Sequence, residues 1–198
     1  MPSSERRDRE RARREQLIVT SARELAETGG WDAVTMRRLA ERVEYSQPVL
    51  YSHFNSRADI VRAVALEGFA ELADQLRSAR TGARSPAAAL HGLAAAYLRF
   101  AQSQPAVYDA MFVMPVDLPF AVADTPAALR SGFAELLTAV TPLAGDSDLD
   151  TLAEVTWSAL HGLAALARSN RLRASHQQAR LDLLVEQLTG PAGAQPAD

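Results

Sequence analysis

Apolar residues in this chain recur every three or four positions and seldom every second one. Alanine and leucine supply most of them, and β-branched residues rarely alternate with polar ones. That period lays one apolar stripe along a helix and fails to give a half-buried strand its inward face. The chain is therefore expected to be all-α, with about nine helices separated by Gly and Pro breaks. A first helix is expected from about Arg11 to Thr28, striped by Leu17, Ile18, Ala22, Leu25 and Ala26 and ended by Gly29-Gly30. Ser56, helped by Asp59, should cap a long helix that runs to about Ala79. Thr81 to Pro86 is the clearest domain-level break, with Ser85 as N-cap and Pro86 as first helical residue. Further helices are expected after Pro86, after Pro105, over Thr125–Val140, over Ser147–Asn170 and over Ser175–Thr189, with a disordered tail at 191–198.

Between the first helix and the long one lies the stretch Val34 to Arg57. Met36, Leu39, Ala40 and Val43 stripe a short helix that Thr35 can cap, although Arg38 holds the position where a capping box wants Glu. Glu44-Tyr45-Ser46 breaks it. Ser46 can cap a second short helix with Pro48 in its first turn. In that helix Val49 and Leu50 can pack inward while Gln47, Tyr51, Ser52 and His53 look out. Two short helices joined by a tight turn form a helix-turn-helix, whose second helix enters the major groove of DNA. An uncharged row of amide, hydroxyl and aromatic groups suits base edges and phosphates.

Composition narrows the alternatives. A chain of 198 residues can bury a sizeable core in one or two small domains. Net charge is −3, so any nucleic-acid surface must be local rather than global. The basic residues are all arginine, and Arg6, Arg7, Arg9, Arg11, Arg13 and Arg14 crowd the N-terminus among Glu5, Asp8 and Glu10. Residues 1–10 read as disordered or as a frayed extension of the first helix. Functionally they are either a solubilising tail or an arm that touches phosphate or the minor groove. Without cysteine there are no disulfides and no thiolate chemistry. No apolar core of a signal peptide and no long membrane-spanning run is evident, so a cytoplasmic protein is expected. His53, His91, His161 and His176 lie far apart without ligand-spaced partners, and no nucleophile elbow or phosphate loop is present. An enzyme, a metal site or a cofactor is not expected.

Ala22, Gly29, Thr35, Leu39, Ala40, Val43, Ser46, Leu50, Tyr51, His53, Phe54, Ser56 and Ile60 stand in the order found in the DNA-binding domain of the TetR (tetracycline repressor) family, which this chain resembles. Gln47 to His53 is especially similar to the recognition helix of the family's namesake. The resemblance implies a DNA-binding domain over 1–57 and a ligand-binding and dimerisation domain over 58–190, joined by a long connecting helix at about 56–79. It implies that Gln47 reads a base edge, and that Arg37 reaches a base or phosphate. Pro48 and Val49 would lie near thymine methyls. Thr35, Tyr51, His53 and Arg57 would hold phosphates, and Met36 and Ser52 would occupy variable contact positions. Glu44 stands where the family commonly has a turn glycine, so the turn must take another conformation or accept strain.

The C-terminal half reads as a pocket and a seam. The helix near 147–170 is apolar nearly all round, through Leu149, Leu152, Val155, Trp157, Leu160, Leu163 and Leu166. Such a helix must be buried on several sides. With Leu181, Leu184, Val185 and Leu188 of the last helix it would form a four-helix interface with a second copy. Two recognition helices about 34 Å apart then meet successive major grooves. Trp157…His161-Gly162 resembles a Trp…His-Gly signature of one C-terminal domain type in the family, although His161 can equally be a core histidine. Tyr97, Phe100, Tyr108, Met111, Phe112, Met114, Phe120, Phe133, Trp157 and His161 are the candidate effector-pocket residues. Expected partners are an operator duplex, a second copy of the chain and a small effector, with no membrane. The resulting expectation is a ligand-responsive repressor. A dimeric DNA-binding adaptor without an effector, or an activator, is the alternative.

Overall fold

The computed structural model describes residues 2–190, with side chains from Glu5 onward. Among the described residues there are nine α-helices and no strand: α1 Pro2–Gly29, α2 Met36–Arg42, α3 Gln47–Tyr51, α4 Arg57–Arg80, α5 Pro86–Ser103, α6 Pro105–Phe112, α7 Ala127–Val140, α8 Leu149–Arg168 and α9 Gln177–Thr189. The all-α expectation holds. The tail expected to be disordered, 191–198, lies outside the described residues. No helix among them is long and apolar enough to cross a membrane.

Several boundaries move for identifiable reasons. α1 begins at Pro2 rather than Arg11, so the arginine-rich segment is helical. It is laced by Arg14 to Glu10 at 2.7 Å and Arg11 to Glu15 at 2.8 Å, the i,i+4 pairing that favours helix without apolar burial. α7 starts after Pro126 because Thr125 is bound into the preceding turn, its hydroxyl accepting from the Val122 amide at 3.1 Å. α8 starts at Leu149 rather than Ser147 because Asp148 caps it, its carboxylate accepting from the Thr151 amide at 2.9 Å. The caps on Thr35, Ser56 and Ser85 are present as read, and Ser56 and Asp59 bond each other's amides at 3.1 and 3.2 Å.

The residues group into two compact units. One holds the described residues up to Phe69 together with Gln104–Pro126, and the other holds Ala70–Ser103 and the residues from Ala127 on. In the first unit Ile18, Ala22, Val34, Leu39, Leu50 and Ile60 form a core at 0 % exposure. α6 joins that core through α1. Trp31 Nε1 donates to the Ala106 carbonyl at 2.8 Å, and Glu27 accepts from the Ala106 and Val107 amides at the start of α6. Arg23 adds a hydrogen bond to Gln104. The carboxylate takes the place of a side-chain cap, which Gln104 does not supply.

In the second unit α5 is the central helix, packed against α7, α8 and α9. Leu90, Leu93, Phe100 and Leu160 are its innermost residues. The buried Glu135 of α7 accepts from Arg77 Nε at 2.9 Å and from Arg80 Nε and Nη2 at 2.9 and 2.7 Å, tying the C-terminal part of α4 to α7. On α8 only Ala153, Thr156, Leu160 and Ala164 are buried, whereas Val155 and Leu166 are 55 % and 41 % exposed. On α9 Leu181 and Val185 are buried and Leu183 is 56 % exposed.

Candidate functional site

Helix α2 begins where the Thr35 hydroxyl accepts from the Arg38 amide at 3.2 Å. It ends in a Schellman closure: Tyr45 N donates to Ala40 O at 2.9 Å, and Glu44 N lies 3.4 Å from Glu41 O. The closure needs a left-handed residue, and Glu44 supplies it at φ 57°. This turn sets the direction in which α3 leaves. Ser46 takes the extended N-cap conformation, but its hydroxyl makes no capping bond.

α3 has five residues, and Leu50, at 0 % exposure, is its one buried anchor. Gln47, Pro48 and Ser52 are exposed, as are Val49 at 38 % and Tyr51 at 47 %. Thr35 and Arg37 are exposed beside them and Met36 is half-buried. Arg37 Nε donates to Glu41 at 2.9 Å, and that hydrogen bond, then the charge, raises an already high pKa, so Arg37 stays cationic. Val49, inward by its pattern but DNA-facing by the resemblance, is exposed with the others.

Two expected contact residues are placed differently. The His53 side chain is 6 % exposed, with Nδ1 3.3 Å from Glu15 of α1. Arg57 is half-buried, and its Nη2 donates to the Trp31 carbonyl at 2.6 Å. Each turns to an acceptor of its own unit, His53 to the Glu15 carboxylate and Arg57 to the Trp31 backbone carbonyl. The sequence offers residues 1–10 as either a tail or a phosphate arm, but does not join Arg11 and Glu15 of α1 to α3. Arg11 Nη2 reaches the Ser52 carbonyl at 3.4 Å, and Arg11 Nε shares Glu15 with His53. The i,i+4 spacing of Arg11 and Glu15 was the available signal.

The effector candidates fall into both units. In the second, Trp157 Nε1 donates to the Tyr97 hydroxyl at 3.2 Å, and that hydroxyl lies 3.4 Å from His161 Nδ1. Tyr97 and Phe100 are buried; Phe133, Trp157 and His161 are half-buried. Burial pulls the His161 pKa below its ordinary value, so the ring is neutral near pH 7. In the first unit Phe112 meets Tyr108 at 4.7 Å and Phe69 at 5.3 Å, and Phe69 meets Phe120 at 5.9 Å between ring centres. Met111 is buried there and Met114 half-buried. Phe69 was missed because it lies on the long helix, away from the aromatic-rich segment.

Residues 18–64 match the family model for bacterial regulatory proteins of the tetR family, and residues 90–189 match the tetracyclin repressor-like C-terminal domain. An uncharacterized HTH-type transcriptional regulator of Mycobacterium tuberculosis is 30 % identical over 153 residues, which is 75 % of this chain and 67 % of the relative. A solved protein with unknown function from Rhodococcus sp. RHA1 superposes with a TM-score of 0.76 at 24 % identity, over 88 % of this chain and 93 % of that one. A TetR variant from Acinetobacter baumannii AYE in complex with minocycline superposes with a TM-score of 0.60 at 20 % identity, over 87 % and 92 %. At those identities the two structures show the fold alone. The two family matches cover the helix-turn-helix and the helical half separately, and their members are transcriptional regulators, not enzymes. This chain belongs to the tetR family of bacterial regulatory proteins and is a DNA-binding transcriptional regulator.

Proposed function

We propose that this regulator is a repressor that holds a near-palindromic operator as a homodimer and releases it when a small apolar or aromatic effector binds. The observation that carries the reading is the outward face of α3. A helix anchored by Leu50 alone presents Gln47, Pro48, Val49, Tyr51 and Ser52 to solvent. On this reading residues 1–57 bind DNA and 58–190 bind effector and partner subunit. Gln47 pairs its amide with adenine. Pro48 and Val49 meet thymine methyls. Tyr51, Ser52 and Thr35 hold phosphates, with Met36 and Arg37 beside them. His53 and Arg57, leaning inward, position α3 unless they turn out on binding.

The exposed Val155, Leu166 and Leu183 support a subunit seam on α8 and α9. Tyr97, Trp157 and His161 support an effector site in the second unit, where hydroxyl and imidazole groups sit among apolar neighbours. The minocycline complex of the fold relative favours a small-molecule site as well. The chain passes from one unit to the other within α4, and the Glu135 clamp holds that helix's far end. An effector can release DNA only as far as it binds the two conformations unequally. Repression of this kind operates in the cytoplasm, where the chromosome is.

A second reading, a dimeric regulator without an effector, is favoured by one observation. Tyr97, Phe100, Tyr108 and Met111 keep 2 % exposure or less, as packed core does. Selection of bound fragments from genomic DNA tests both. Recovery of a two-fold-related site, with binding relieved by a small aromatic compound, supports the repressor. Recovery of that site with no relief across a compound library favours the second reading. Fragments sharing no motif sink the assignment of α3 to the groove.

A further inference from the structure

The N-terminal part of α1 lies before the residues that the family model matches, yet it borders α3. A surface groove of about 560 Å³ is lined by Arg7, Asp8, Glu10, Arg11 and Arg14 of α1 and by Ser52 and His53, which follow α3. At 3.6 residues per turn the three arginines fall within about 60° of one another and span about 10 Å of helix. Arg11 and Arg14 are 60 % and 45 % exposed. Each is held by a carboxylate of its own helix, Arg14 by Glu10 at 2.7 Å and Arg11 by Glu15 at 2.8 Å. Arg11 Nη2 also lies 3.4 Å from the Ser52 carbonyl at the end of α3.

We infer that Arg7, Arg11 and Arg14 form a second DNA-backbone seat, which takes a phosphate beside the major-groove contacts of α3. The inference rests on the reading of α3 as the groove helix. A duplex that meets Tyr51 and Ser52 carries its sugar-phosphate edge past the same end of α3 that Arg11 touches. Guanidinium groups bind carboxylate and phosphate in the same forked geometry. Glu10 and Glu15 therefore keep the guanidiniums extended in the free protein and yield them when a phosphate arrives. They also reduce the local positive charge, so sequence-independent affinity stays moderate. The partner is phosphate; guanidinium also reads guanine in the major groove, so a changed half-site preference on replacing all three arginines would mark a base contact instead and overturn the seat.

The test is the salt dependence of binding to a short labelled duplex cut from a genomically selected fragment, between ~50 and ~200 mM salt. Arg7→Ala, Arg11→Ala and Arg14→Ala together should lower the slope of log K against log salt by about 0.9 for each phosphate lost. Half-site preference should stay parental. A control lacking the same number of charges elsewhere, Arg84→Ala, Arg171→Ala and Arg173→Ala, should keep the parental slope. Glu10→Gln, which leaves the helix intact, should tighten binding severalfold to any duplex sequence. A parental slope in the triple variant, or an equal loss of slope in the control, overturns the seat while leaving α3 in the groove. A parent chain whose binding ignores both salt and sequence overturns the groove reading, and the seat with it.

Discussion

Glu44 holds the turn between α2 and α3 at φ 57°, where an L side chain is crowded by its own carbonyl. Glycine at this position relieves that strain but gains freedom in the unfolded chain, and the relief is the larger effect. Glu44→Gly should therefore raise stability by about 1 kcal/mol, read as a higher urea midpoint at unchanged slope. A lower midpoint means the Schellman closure is not strained. The sequence left two outcomes open here, another backbone or a strained one, and the chain takes the strained one. His161 makes a second prediction. Its folded pKa lies below the ordinary value of about 6.5 because burial opposes the charge. The unfolded chain therefore binds the proton first. His161's contribution to stability is whole above about pH 6.5 and is lost as pH falls below that value toward the folded pKa. Melting of the parent chain should fall between about pH 7 and pH 5 more steeply than melting of His161→Gln. Equal slopes would place the ring in water. The inward lean of His53 and Arg57 was not legible, because His53 follows the end of α3, Arg57 opens α4, and their acceptors, Glu15 and the Trp31 carbonyl, lie 38 and 26 positions away in the chain.

At the scale of elements, the helices were legible from the three- and four-residue stripe and from their caps, Thr35, Ser56 and Ser85 among them. What the stripe could not carry was which helix meets which. α6 docks on α1 through Trp31 and Glu27, whose acceptor and donors are backbone groups of Ala106 and Val107 with no sequence signature. Gly68 falls on the three- and four-residue spacing of Val61, Val64, Ala65, Leu72 and Leu76 along α4. In the structure it is a point of close approach, where an added Cβ would lie 2.5 Å from Val107 Cγ1 and 2.8 Å from Met111 Sδ. Gly132 on α7 has nothing within 4 Å of such a Cβ. Alanine is the better helix former at both positions by roughly 0.8–1.0 kcal/mol. Overpacking at Gly68 opposes that gain with about 1–3 kcal/mol. Gly132→Ala should raise the thermal midpoint and Gly68→Ala should lower it, in the same instrument and buffer. If both rise, α6 yields easily at that contact. Glu135 is a harder case for any residue pattern: a lone acid on an apolar helix face looks solvent-directed until Arg77 and Arg80 are seen beside it. Removing it leaves Arg80, the more buried of the two, without this acceptor while Arg77 keeps Asp74, so Glu135→Ala should cost about 1–3 kcal/mol by denaturant titration.

At the scale of the molecule, one chain does not cover the surface it exposes. α8 was read as apolar nearly all round and therefore buried on several sides. The described residues bury one side of it, through Ala153, Thr156, Leu160 and Ala164. Val155 and Leu166, which share a face eleven positions apart, stand 55 % and 41 % in solvent, and Leu183 of α9 stands 56 %. Hiding each contributes about 1.5–3 kcal/mol, whereas association costs about 4–15 kcal/mol in lost freedom. Counted on both chains and already about half covered, those side chains contribute only about 5–9 kcal/mol, in the lower part of that cost, so a stable seam must also take in the half-buried Leu163, Leu184 and Leu188. Leu181 and Val185, read as part of that seam, are spent on the chain's own core. Val155→Glu with Leu166→Glu puts like charges face to face across a two-fold seam while leaving the core of each chain untouched. Sedimentation should then give the mass of one chain, with an unchanged helical spectrum. Because a single recognition helix meets only one half-site, affinity for a two-half-site duplex should fall to that for one half-site. If parent and double variant both sediment at twice the mass of one chain, the proposed contact between copies lies on another face and sets half-site spacing from there; if both sediment as one chain, the homodimer is overturned.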